Sequence, residues 1–136
     1  MNTAAISWHN LNKITKNKKV VFYGFGQDWI FKTLKKLKKK PLFIIDNNYA
    51  YKNKFHKNIK IISYKDFKKL KLKKIIFIIT TALINEISNE LELEKYRKGI
   101  DFFATPELKD FIYLQNISKF NFKILFSSSD YTLRFK

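Results

Sequence analysis

Four short apolar runs limit what this chain can fold into. Residues 19–23 (KVVFY), 42–45 (LFII), 59–62 (IKII) and 73–80 (KKIIFIIT) are rich in β-branched and aromatic side chains. The first is too short for a helix, and each is followed by glycine or small polar residues. Runs that are apolar on both faces are the signature of central strands in a parallel sheet. Between them lie segments with helical spacing. Residues 28–37 place Trp29, Ile30, Leu34 and Leu37 at such intervals, with lysines gathered at the end and Pro41 as the stop. Residues 85–98 do the same with Ile87, Leu91 and Tyr96 behind Ile84, and Gly99 is expected as the C′ residue. Ser63 and Asp66 are placed to cap a helix running to about Leu70.

Strands alternating with helices predict βαβ units with right-handed crossovers. The expected fold class is therefore α/β, a Rossmann-like three-layer domain with a mostly parallel sheet. A single domain is expected over residues 1–126, with an N-terminal helix at 4–15 and a core at 18–108. Residues 49–58 read as a polar, irregular connection, 101–103 as a fifth strand, 106–116 as a helix and 120–126 as an edge strand. Residues 127–136 read as a tail or the start of a missing second domain.

A length of 136 residues suits one domain, and 46% hydrophobic residues with 14 Phe can fill its core. The longest apolar stretch is far below the roughly 18–20 residues a membrane span needs. No signal peptide is expected from residues 1–12, and the chain has no cysteine, so a cytoplasmic location is the expectation. The net charge is +17, but Lys, Asn, Ile, Phe, Tyr and Met together make 78 of 136 residues, all encoded by AT-rich codons. Only Arg97 and Arg134 are arginines, the side chain best suited to bidentate phosphate and guanine contacts. Base-composition drift accounts for the charge, and nucleic-acid binding is the least favoured function.

In open parallel sheets, ligands bind beyond the carboxyl ends of the strands. Three features fall there. Gly24, Phe25, Gly26 and Gln27 join the first strand to a helix whose N-terminus favours anions. The dinucleotide fingerprint has a third glycine where Trp29 stands, which implies a wider helix–strand spacing or a blocked dinucleotide pocket. Asp46 follows Gly24 by 22 residues, where a ribose hydroxyl would be gripped, with Asn47 beside it. Asp-Asn-Asn is equally a good turn. Thr80 and Thr81 end the strongest strand and offer hydroxyls to a sugar or phosphate, or a cap by Thr81 or Asn85 to the next helix. Gly26→Val and Asp46→Ala are expected to weaken nucleotide binding with the fold intact. His56 is a weak catalytic candidate and His9 a surface residue. Glu86, Glu90, Glu92 and Glu94 fit a solvated helix paired with lysines better than a metal site. No metal is called for.

The runs KVVFYGFG (19–26), FIIDNN (43–48), IKIISYKDFKKL (59–70) and IIFIITT (75–81) together resemble the Rossmann-like N-terminal domain of bacterial polysaccharide and nucleotide-sugar biosynthesis enzymes. The likeness is to sugar acyltransferases of the bacillosamine type, over about residues 18–108. It implies a pocket for a nucleotide-linked sugar, with the uridine or phosphates near Gly24, Gly26 and Asp46. The acyltransferases continue into a hexapeptide-repeat β-helix bearing their catalytic histidine. Nothing of that kind is present, so the acyl transfer does not carry over.

The expected function is thus a nucleotide- or nucleotide-sugar-binding domain of surface-glycan biosynthesis, with a fragment of a larger transferase as one form it could take. The alternative is a non-catalytic interaction or regulatory module with a purely structural glycine turn. A binding module is better supported than a complete enzyme, and no reaction is named. The expected partner is a small nucleotide-type ligand, and exposed Phe and Tyr residues near the C-terminus could serve a homo-oligomer.

Overall fold

The computed structural model describes residues 6–108, and these form an α/β fold around one six-stranded, mostly parallel sheet. The apolar runs become β1 (Lys19–Tyr23), β2 (Phe43–Ile45), β4 (Ile59–Ile62) and β5 (Ile75–Ile79). β6 (Phe102–Ala104) adds a fifth parallel strand, one residue later than the sequence predicts. β3 (Phe55–His56) is antiparallel at one edge, and the order is β3-β4-β2-β1-β5-β6. The register stacks Ile44, Phe22 and Ile78 side by side, then Ile45, Tyr23 and Ile79.

Successive strand side chains point to opposite faces, so each run feeds two cores. Val21, Tyr23, Ile45, Phe77, Ile79 and Phe102 face one way. They bury Phe67 of α3 (Tyr64–Lys69) and Ile84, Ile87 and Leu91 of α4 (Ile84–Leu93). Val20, Phe22, Ile44, Ile76, Ile78 and Phe103 face the other way. They bury Leu11 of α1 (Trp8–Thr15) and Ile30 of α2 (Gln27–Lys36). That double burial is why the runs carry no polar alternation. Each fully buried Ile or Phe contributes about 1.5–3 kcal/mol.

The local signals set some boundaries and miss others. Ser63 Oγ accepts from Asp66 N at 3.1 Å, as its position predicts, and Ser7 Oγ does the same for Asn10 N in α1. α2 ends at Lys36, where Leu37 turns extended ahead of Pro41. α4 stops at Leu93, short of Gly99, because Lys95 takes a positive φ of 72°. Gly99 instead makes the following turn, its N–H donating to Phe102 O. The connection at 49–58 is not irregular. It holds a 3₁₀ turn at Tyr49–Tyr51 and the strand β3, which returns into β4. Lys57 and Asn58 have φ of 48° and 66°, the two positive values of a type I′ hairpin turn. Pro106 opens a 3₁₀ turn, Pro106–Leu108. The N-terminal helix begins at Trp8, later than the predicted residue 4, because extended Ser7 caps it; residues 4–5, the helix beyond 108, the strand at 120–126 and the tail at 127–136 lie outside the described residues. No helix among the described residues is long and apolar enough to cross a membrane.

Candidate functional site

The strand order places β1 at the centre, with chain-adjacent β2 on one side and β5 on the other. Residues that leave β1, β2 and β5 therefore meet at one end of the sheet. The three sequence features do come together there, but largely to bind one another.

Gly24 leaves β1 with a φ of 104°, a conformation that suits glycine alone. A Cβ added there would lie 2.2 Å from Thr81 Cγ2. At Gly26 it would lie 2.4 Å from Thr80 O and 2.9 Å from Trp29 Cε3. The glycines thus admit the end of β5 and the Trp29 ring.

Asp46 holds the same turn from the other side. Its Oδ2 accepts from Phe25 N and its Oδ1 from Asn48 N, both at 2.8 Å. Thr80 is fully buried and donates to Gly24 O at 2.6 Å, so its hydroxyl is not offered to a ligand. Neither Thr81 nor Asn85 caps α4, whose N-cap is Leu83 with no side-chain bond. Asn47 Oδ1 accepts from Tyr64 N at 2.9 Å. Gln27 and Asn47 are exposed at the rim, and Phe25 and Thr81 are half-buried.

The Phe25 ring turns away from the strand ends. It packs edge-on to Tyr51 and His56, with centroids 4.7 and 5.1 Å away. His56 Nε2 is buried with no hydrogen-bond partner among the described residues. Burial, helped by Lys57, holds the imidazole below its ordinary pKa, so it is neutral at neutral pH. Among the described residues no carboxylate or nucleophile is hydrogen-bonded to it as a catalytic partner.

A second cluster, absent from the expectations drawn from sequence, lies on the α3–α4 side. Tyr23 is buried and donates its hydroxyl to Glu90 Oε2 at 2.7 Å. Its ring stacks on Tyr64 at 5.7 Å, and Tyr64 reaches Glu94 Oε1, which also pairs with Lys68 at 2.9 Å. Burial and the Glu90 hydrogen bond push the Tyr23 hydroxyl far above its ordinary range, and burial does the same at Tyr64. Glu90, exposed on the solvated face of α4 as expected, is thus also the anchor of a core tyrosine. The signal was available: a tyrosine ending an otherwise apolar buried strand needs a polar partner.

Asp46, Asn47, Gln27 and Thr81 can offer acceptors and donors to a sugar or base. No group of three His, Cys, Asp or Glu that could hold a metal occurs among the described residues. Comparisons with family models, curated proteins and solved structures find no match.

Proposed function

We propose that this chain is a Rossmann-like binding module for a mononucleotide or nucleotide-linked sugar, serving bacterial surface-glycan assembly. The observation that carries it is strand order. Taken along the chain, the five parallel strands lie third, second, first, fourth, fifth, reversing direction between β1 and β5. That is the order of doubly wound nucleotide-binding sheets, whose ligands sit beyond the carboxyl ends at the reversal. Gly24, Asp46 and Thr81 stand at those ends. The filled glycine turn argues for a ligand lying across the rim at Gln27, Asp46, Asn47 and Thr81, and against a dinucleotide threaded beneath it. The glycan context rests on the resemblance of residues 18–108 alone.

Thermal unfolding with UDP-, CDP- and CMP-sugars, NAD(P)H, S-adenosylmethionine and acetyl-CoA tests this. A ligand at 100 times its Kd adds about 2.7 kcal/mol to stability. A nucleotide sugar is expected to raise Tm, and Asn47→Ala and Gln27→Ala to reduce that rise. A flat response to every ligand at millimolar concentration ends the proposal. It would leave the interaction module, which one observation favours: both Asp46 oxygens already serve backbone N–H groups.

A further inference from the structure

Lysines crowd a cleft at the opposite end of the sheet, beside the amino ends of β1 and β2. α1 brings Lys13 in its last turn and Lys16 as its C-cap. The connection after α2 brings Lys38 and Lys39. Asn12 binds the two segments together: Nδ2 donates to Lys36 O at 3.1 Å, and Oδ1 accepts from Lys38 N at 2.8 Å. Lys39 Nζ adds a bond to Lys16 O at 3.2 Å. Between them is a cleft of about 450 Å³ lined by His9, Asn12, Lys13, Lys16, Lys38 and Lys39. That volume lies within the roughly 300–1,000 Å³ of small-molecule sites.

Compositional drift explains how many lysines the chain has, not why four converge on one concavity without an acid. No carboxylate among the described residues lines the cleft. The ion pairs among the described residues use Lys36, Lys68, Lys69 and Arg97, and none of these four. The helix C-termini offset part of the positive charge, and the rest is mutual repulsion that an anion would relieve. Ammonium groups bind phosphate as point charges, and several around one cleft match an anion with several charged centres. We propose that this cleft binds an oligophosphate, as a free chain or as the phosphates of a nucleotide. This site is separate from the rim at Asp46 and does not depend on it.

The test is thermal unfolding and titration calorimetry with sodium tripolyphosphate and ATP, against sodium chloride and sulfate at matched ionic strength. Either phosphate ligand is expected to give a saturable Tm rise that chloride does not. Lys13→Ala/Lys38→Ala should weaken binding by about tenfold or more, near 1.4 kcal/mol. Lys13→Gln/Lys16→Gln serves as an independent second pair. Lys54→Ala/Lys65→Ala, away from the cleft, should bind as the parent does. Circular dichroism confirms folding, and the ligand-free cleft variants should be at least as stable as the parent at low salt, because repulsion is removed. Three results overturn the proposal: no excess over chloride, equal loss from the Lys54/Lys65 control, or tighter binding of single-stranded DNA through the same cleft lysines. The last would assign the surface to nucleic acid.

Discussion

At the residue scale, Gly24 and Asp46 determine whether the turn after β1 forms at all. Gly24→Ala meets two penalties: a positive φ, worth about 1–2 kcal/mol for an L-residue, and the Thr81 side chain. We expect a loss of about 2–4 kcal/mol by chemical denaturation, with Thr81→Gly recovering the steric part only. Asp46→Ala strands two backbone N–H groups and should cost about 1–3 kcal/mol. Gly26→Val drives a side chain onto Thr80 O. Neither Gly26→Val nor Asp46→Ala therefore leaves the fold untouched, contrary to the expectation from sequence, and a ligand effect measured on them would report folding. If Asp46→Ala matches the parent in denaturation midpoint, Asp46 is free for a ligand and the turn is held by its glycines.

At the element scale, the 3₁₀ turn Pro106–Leu108 ties the N-terminal helix to the sheet. Glu107 Oε2 accepts from Trp8 Nε1 at 2.8 Å and pairs with Lys36 at 3.2 Å. Burial works against its carboxylate, but the hydrogen bonds from Trp8 and Lys36 outweigh it and hold the pKa below the usual range. Glu107→Gln keeps an acceptor for Trp8 and loses the ion pair with a well-exposed lysine, so it should cost under about 1 kcal/mol. Leu11→Ala, at a fully buried site, should cost about 2–5 kcal/mol. Equal losses from the two, measured by urea unfolding, would mean that charge, not burial, docks α1.

At the scale of the whole molecule, pH separates the groups by the direction of their shifts. Folded His56 is held below its ordinary 6.5, so the unfolded chain takes up this proton first. Stability present at neutral pH therefore falls as pH drops through 6.5. Glu107 and Asp101, held below 4.5 and 3.8, lose their contribution only in stronger acid. His56→Phe should flatten the early loss between about pH 7 and 5, and raise neutral-pH stability by removing a buried, unpaired nitrogen. An unchanged acid limb in that variant would place the early loss elsewhere. In alkali, Tyr23, Tyr64 and Tyr96 are raised above 10.0, chiefly by burial. Their contribution is complete below pH 10 and is lost as pH rises beyond it, and Tyr23→Phe should blunt that loss.

The sequence by itself determined the sheet. Runs such as KVVFY and IIFII are apolar on both faces, and a parallel strand between two helix layers is what buries such a run. It also marked the Ser63 cap and the end of α2, because caps and proline act within one turn of chain. It located the turn at Gly24–Gly26 and the acid at Asp46, but not their use. Only the tertiary structure decided that Thr81 fills the space beside Gly24, that Asp46 grips Phe25 N, and that Glu90 anchors Tyr23. It likewise decided that Lys13 and Lys38 share a cleft. Each of these pairs joins segments far apart in the chain, and residue type records what a side chain can bind, not what the fold brings beside it. The hairpin at Lys57-Asn58 and the helix end at Lys95 escaped for a related reason. There non-glycine residues take positive φ, and the backbone bonds that flank them, the β3–β4 pairing and Tyr96 N to Leu91 O, hold them in it.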